Sequence, residues 1–161
     1  MYNNEEAVGQ TLAALAAEGV VARSALFLTS KAPPLTTCEP GALDQALRTT
    51  LERLQTSYLD LYLLHWPFCT RPGAPSWPPP PAFRLGYNAT RLRQSWAVLE
   101  RAQQAGLVRA VGLSNIGPNR LEALLATPDL RVRPAVVQTE LHPYLQMREL
   151  RKRCADHGVR R

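Results

Sequence analysis

Apolar residues in this chain recur by turns at helical spacing and in short strand-sized runs, and that alternation limits the fold more than any other feature. Val8, Leu12 and Leu15 predict a first helix, which Gly19 is placed to end. Leu26-Phe27-Leu28-Thr29 predicts a short buried strand, followed by Ser30-Lys31 and Pro33-Pro34. Leu43, Leu47, Leu51 and Leu54 predict a second helix over roughly 41–55, and Tyr58 to Leu64 a strand with one polar interruption, Asp60. Leu92, Trp96 and Leu99 begin a third helix closed by Gly106, and Val108 to Leu113 is a third strand. Pro118 suits the first position of a helix carrying Leu121, Leu124 and Leu125. Ala135 to Thr139 reads as a fourth strand, and Met147, Leu150 and Cys154 mark a last helix that Gly158 terminates. The order αβαβαβαβα requires parallel strands joined by crossover helices.

Two α/β architectures compete, a doubly wound sheet and a (β/α) barrel. A doubly wound dinucleotide fold carries a glycine-rich turn after its first strand, and no GxGxxG occurs here. The unusual polar residues fall at strand ends: Ser30-Lys31, His65-Trp66-Pro67, Ser114-Asn115, then Gln138, Glu140 and His142. A barrel gathers its chemistry on that carboxyl rim. The expected fold is therefore part of a (β/α)8 TIM barrel with about four βα units, a fifth strand being due near Val159. Residues 1–161 read as a single partial domain, cut at both ends. Residues 70–87 interrupt it with a Pro-rich loop holding Pro72, Pro75 and Pro78 to Pro81, which fit neither helix nor central strand. A half barrel has two open parallel edges, and these predict self-association.

Composition narrows the class. With 161 residues, 45% hydrophobic and 20% charged, the chain suits one folded domain rather than a disordered segment. No run approaches the roughly 18 apolar residues of a membrane span. Met1-Tyr2-Asn3-Asn4-Glu5-Glu6 lacks the pattern of a secretory signal. Three cysteines (Cys38, Cys69, Cys154) are odd in number and widely spaced, which fits a reducing, cytoplasmic setting and no metal site. The sequon Asn88-Ala89-Thr90 is accordingly read as chance. The formal net charge of +6 is concentrated after residue 80, most densely in Arg148–Arg161, and 17 of the 19 basic residues are arginine. Basic groups are ordinary near helix C-termini, so no nucleic-acid partner is expected.

Five blocks then come into register: Tyr2-Asn3-Asn4-Glu5-Glu6 with Val8-Gly9; Thr29-Ser30-Lys31; Asp60-Leu61-Tyr62-Leu63-Leu64-His65-Trp66-Pro67; Gly112-Leu113-Ser114-Asn115; and Gln138-Thr139-Glu140-Leu141-His142-Pro143-Tyr144. Their order and intervals resemble the aldo-keto reductases across nearly the whole chain. The resemblance implies an eight-stranded α/β barrel that uses NADP(H) to interconvert aldehydes or ketones and alcohols. By position it makes Tyr2 the catalytic proton donor, Lys31 the catalytic lysine and His65 the catalytic histidine. Ser114, Asn115 and Gln138 match the side chains that hold the nicotinamide carboxamide, and Trp66, with His65, falls where the substrate pocket is lined. The family's catalytic aspartate lies before the tyrosine, outside this sequence, as does the later basic segment that grips the 2′-phosphate. Ala32-Pro33 and Ile116 depart from the bulkier and aromatic residues usual at those places.

The chemistry is coherent. A tyrosine stays protonated at neutral pH and can act as the acid. An ammonium beside it stabilises the phenolate left behind, and a neutral imidazole can orient a carbonyl oxygen by hydrogen bonding. Taken singly, each residue also has a plainer role: Tyr2 as a frayed terminus, Lys31 as a solvated loop end, His65 as a satisfied rim residue, and Ser114-Asn115 as a helix cap. The competing function is an inactive half-barrel remnant or binding module.

Overall fold

A computed structural model of the protein describes residues 4–34, 40–71, 73 and 78–161. These form helices α1 (Glu5–Ala17), α2 (Pro40–Arg53), α3 (Ala89–Gln104), α4 (Pro118–Leu125) and α5 (Arg148–Asp156), and strands β1 (Thr29–Ala32), β2 (Leu59–Leu64), β3 (Val108–Ser114) and β4 (Val136–Gln138). Helices and strands alternate along the chain, and the strands lie side by side in the order β1-β2-β3-β4, every pair parallel. The sheet is unclosed and forms part of a (β/α)8 barrel.

One expected strand is displaced. The apolar run Leu26–Leu28 is not β1, which instead takes Thr29–Ala32 in register with Leu61–Leu64. Arg23–Ala25 makes a 3-10 turn, the Arg23 guanidinium donates to the Leu26 carbonyl, and only at Leu28, whose carbonyl accepts the Leu61 amide at 3.1 Å, does the run meet β2. The Leu28 amide donates to the Asp60 carboxylate at 2.9 Å, and Phe27 is left 71% exposed. Asp60 thereby accounts for the polar interruption in β2. Buried at the amino end of the strand, it also accepts from Arg23 at 2.9 Å and Arg109 at 3.0 Å. Both guanidinium groups lie over the Tyr58 ring, 4.0 and 4.3 Å from its centroid.

The core lies between the sheet and the helices. Tyr62 and Leu64 of β2, Val111 and Leu113 of β3 and Val137 of β4 are buried with Leu43, Leu47, Trp96, Leu99, Leu121 and Leu124 from α2, α3 and α4. Each such side chain contributes about 1.5–3 kcal/mol relative to exposure. Trp96 satisfies its indole N–H on the Val132 carbonyl at 2.8 Å. Between β3 and β4 the backbones approach so closely that a methyl group at Gly112 would stand 2.5 Å from the Val136 oxygen and 2.7 Å from Leu63 Cδ2. Gly112→Ala is expected to cost about 1–3 kcal/mol of stability, read from thermal or urea unfolding.

The Pro-rich loop is closed at its base. Thr70 and Arg84 form an antiparallel bridge, the Arg71 amide donates to the Phe83 carbonyl at 2.8 Å, and the Leu85 amide donates to the Cys69 carbonyl at 3.0 Å. Asn88, the first residue of the sequon, caps α3 by accepting the Arg91 amide at 2.9 Å. At the other end of the chain Arg160 pairs in parallel with Val136, donating to the Ala135 carbonyl and accepting the Val137 amide. A further strand thus starts to form on the outer edge of β4. In α5 the basic residues are partly paired, Lys152 with Asp156 at 2.7 Å and Arg153 with Glu122 and Glu149. No helix among the described residues is long and apolar enough to cross a membrane.

Candidate active site

The strand register collects the polar strand ends on one face. Lys31 stands beside Leu63, Leu63 beside Gly112, and Gly112 beside Val136, while Ser114 stands beside Gln138. Neighbours in a parallel ladder share a face, and so do residues two apart on one strand. Lys31, Ser114 and Gln138 therefore point to the same side, opposite the packed core, at the carboxyl ends of β1, β3 and β4. His65 directly follows the last residue of β2, and the Lys31 ammonium acts on it electrostatically.

His65 is 7% exposed. Burial first, and the Lys31 charge second, hold its pKa below the ordinary histidine value of 6.5, so the imidazole is neutral at neutral pH. In an NMR titration its ring resonances are expected to move with a midpoint below 6.5. A folded-state pKa below the unfolded one means that the neutral form adds stability above pH 6.5, lost as pH falls towards the lowered value. Trp66, half-buried, packs beside His65 with ring centroids 6.2 Å apart, and against Phe68 at 5.4 Å.

Asn115 laces three strand ends together. Its side-chain amide donates to the His65 carbonyl at 2.9 Å and to Ser114 Oγ at 3.1 Å, while its backbone N–H donates to the Gln138 carbonyl at 2.9 Å. The backbone takes the left-handed conformation (φ 56°), which asparagine tolerates better than most residues. A helix-capping role for Ser114-Asn115 is not observed: α4 begins after Gly117 and has no side-chain cap. The His65 carbonyl can only accept, which fixes the Asn115 nitrogen on that side and leaves Oδ1 as the side chain's acceptor.

The two departures, Ala32 and Ile116, are both buried among the core residues. Tyr2 lies outside the described residues. Sequence reasoning gave no separate role to Glu5, whose carboxylate accepts from Ser30 Oγ at 2.7 Å and Thr50 Oγ1 at 3.4 Å. The available signal was a polar Thr50 between the core positions Leu47 and Leu51. Among the described residues no group of three or more His, Cys, Asp or Glu is placed to hold a metal.

A parallel α/β sheet with its polar side chains gathered at the carboxyl rim defines this chain as a portion of a (β/α)8 barrel. Comparison with known sequences gives the lineage. The profile of the Aldo/keto reductase family matches residues 1–161, and the chain belongs to that family. It is 40% identical over 160 residues to aldo-keto reductase family 1 member A1 of Sus scrofa, covering 99% of this chain and 48% of that protein. It is 37% identical over 159 residues to aldo-keto reductase family 1 member C4 of Homo sapiens, and 35% over 159 residues to prostaglandin F synthase 1 of Bos taurus, covering 99% of this chain and 49% of each. The chain spans about half the length of the curated relatives it matches.

Proposed function

We propose that residues 1–161 form a partial domain of an NADP(H)-dependent oxidoreductase that interconverts small aldehydes or ketones and alcohols. The observation that carries this reading is the placement of Lys31, Ser114 and Gln138 on one face at the strand ends, next to a buried neutral His65. Family membership supports the reaction class and a nicotinamide cofactor.

The donor set suits the nicotinamide end of that cofactor. A carboxamide needs a donor for its oxygen and an acceptor for its nitrogen. The Ser114 hydroxyl can donate, Asn115 Oδ1 can accept because its own N–H groups are engaged within the chain, and the exposed Gln138 amide can do either. When bound, the cofactor supplies the hydride. Tyr2 donates the proton to the carbonyl oxygen, and Lys31 stabilises the phenolate that remains. His65, neutral, donates a hydrogen bond that orients the carbonyl, and Trp66 beside it forms an apolar wall for the substrate. The reading includes a cytoplasmic location, no nucleic-acid partner, and self-association through open edges of the isolated sheet.

Consumption of NADPH with a generic aromatic aldehyde tests the proposal on residues 1–161 and on a form extended by the remaining barrel strands. Turnover is expected in the extended form and not at a useful rate in the unclosed sheet alone. Robust turnover in residues 1–161 that Tyr2→Phe abolishes would remove the remnant alternative. An extended form without aldehyde-dependent turnover would overturn the oxidoreductase reading.

A further inference from the structure

A second group of charged side chains lies on the helical layer, apart from the rim. There α3 and the segment 129–132, which leads from α4 towards β4, border a cleft of about 570 Å³. Three arginines line it, Arg93, Arg101 and Arg131, with two carboxylates, Glu100 and Asp129. Both carboxylates are already committed. Glu100 is 7% exposed, and its Oε1 accepts the Arg131 amide at 2.8 Å and the Val132 amide at 3.1 Å. Its Oε2 stands 3.1 Å from Arg93 Nη1. Asp129 takes the other edge of the same guanidinium, accepting from Nε and from Nη2 at 3.0 Å each, and its carbonyl also accepts from Nη2, at 2.8 Å. Arg93 is thereby neutralised and held from two sides.

Arg101 and Arg131 are not. Both are exposed, and among the described residues neither side chain makes a hydrogen bond or an ion pair; Arg131 bonds only through its backbone amide. Asp129 feels the Arg131 charge without bonding to it. Two uncompensated guanidinium groups on one cleft repel each other, and each presents a planar fork of donors matched to a carboxylate or a phosphate. A cation finds no carboxylate left to bind it. An apolar ligand finds little beyond Ala97 and Val132 to pack on. The volume falls within the roughly 300–1,000 Å³ of small-molecule sites. We infer that this cleft binds a compact dianionic small molecule, a phosphate monoester or a dicarboxylate, between Arg101 and Arg131. None of its residues belongs to the rim, so this site and the proposed reaction stand or fall separately.

The test is an NMR titration of residues 1–161 with sodium phosphate and, separately, with sodium succinate, each against sodium chloride at equal ionic strength and pH. The reporters are the Arg131 and Val132 amides and the Trp96 indole N–H, which donates to the Val132 carbonyl at 2.8 Å. All three are expected to shift to saturation with a dianion and to ignore chloride. Saturation by phosphate alone assigns the site to phosphate monoesters, by succinate alone to dicarboxylates, and by both to dianions in general. Arg101→Gln and Arg131→Gln remove exposed charges and should leave the fold intact, yet each is expected to weaken binding roughly 10-fold, the loss of one charge-assisted pair. Arg91→Gln, an exposed arginine of α3 outside the cleft, is expected to leave binding unchanged. Shifts that never saturate, that chloride reproduces, or that Arg91→Gln weakens as much as the other two would overturn the site.

Discussion

Tyr2→Phe is expected to lower carbonyl turnover roughly 100- to 10,000-fold in the barrel-completed form, the range that a positioned general acid contributes. The substitution removes only the phenolic oxygen, so binding of substrate and cofactor should change little and the loss should fall on kcat. Lys31→Met should give a comparable loss by a different route. Without the ammonium the phenolate is no longer stabilised, and the tyrosine becomes a weaker acid. His65→Ala should impair turnover too, and it should raise KM for the aldehyde more than the other two, because its proposed task is to orient the carbonyl. Steady-state kinetics of the three variants, varying aldehyde at saturating NADPH, separate these effects. Three variants with parent-like kinetics would show the roles to be wrongly assigned.

The fold was legible where the chain's own spacing settles it. Leu43, Leu47 and Leu51 mark the buried stripe of α2, with buried Leu54 just past its end, and β2 is a run of six buried residues. β1 was misplaced because the deciding interaction is remote. Leu26–Leu28 looks like a strand by composition, but the Leu28 amide is taken by Asp60, 32 positions away, while polar Thr29-Ser30-Lys31 pairs with Leu61–Leu63. No local window contains both partners. The base of the Pro-rich loop was hidden for a similar reason, since Thr70 meets Arg84 across a run of prolines that suggests no pairing.

The rim was legible in part because a parallel sheet puts every strand's carboxyl end on one side, so Lys31, Ser114 and Gln138 had to come near one another once the strand order was known. What spacing could not reveal is how the rim is laced. Asn115 reads as a helix cap, and only its left-handed backbone turns its amide onto the His65 carbonyl instead. The Glu5 clamp joins positions 25 and 45 residues apart and leaves no periodic trace.

Asp60 at the opposite end of the sheet should have the largest effect on stability. Its carboxylate is 4% exposed and answers three donors, the Leu28 amide and the Arg23 and Arg109 guanidinium groups. Asparagine in its place keeps one acceptor oxygen but loses the charge and the second oxygen that the three donors share, so both guanidinium groups lose their counter-charge, although Arg23 keeps the Thr56, Leu26 and Tyr58 oxygens. Arg109 is 59% exposed and can rehydrate, so Asp60→Asn is expected to cost about 3 kcal/mol, at the low end for breaking a buried pair. For a chain of this size that lowers the melting temperature by roughly 10 °C. The pH dependence identifies the charge as the cause. Burial opposes ionisation of Asp60, but the Leu28 amide and the two arginines outweigh it and hold the carboxyl below its ordinary 3.8. A carboxyl with a lowered folded-state pKa gives its full stabilisation above the unfolded value and loses it as pH falls through the folded one. Parent and Asp60→Asn should therefore differ most in melting temperature above about pH 4, and the gap should narrow as the pH is taken below the lowered pKa. A gap that stays constant from neutral pH to about pH 2 would mean that shape and hydrogen bonding, rather than charge, hold this end of the sheet.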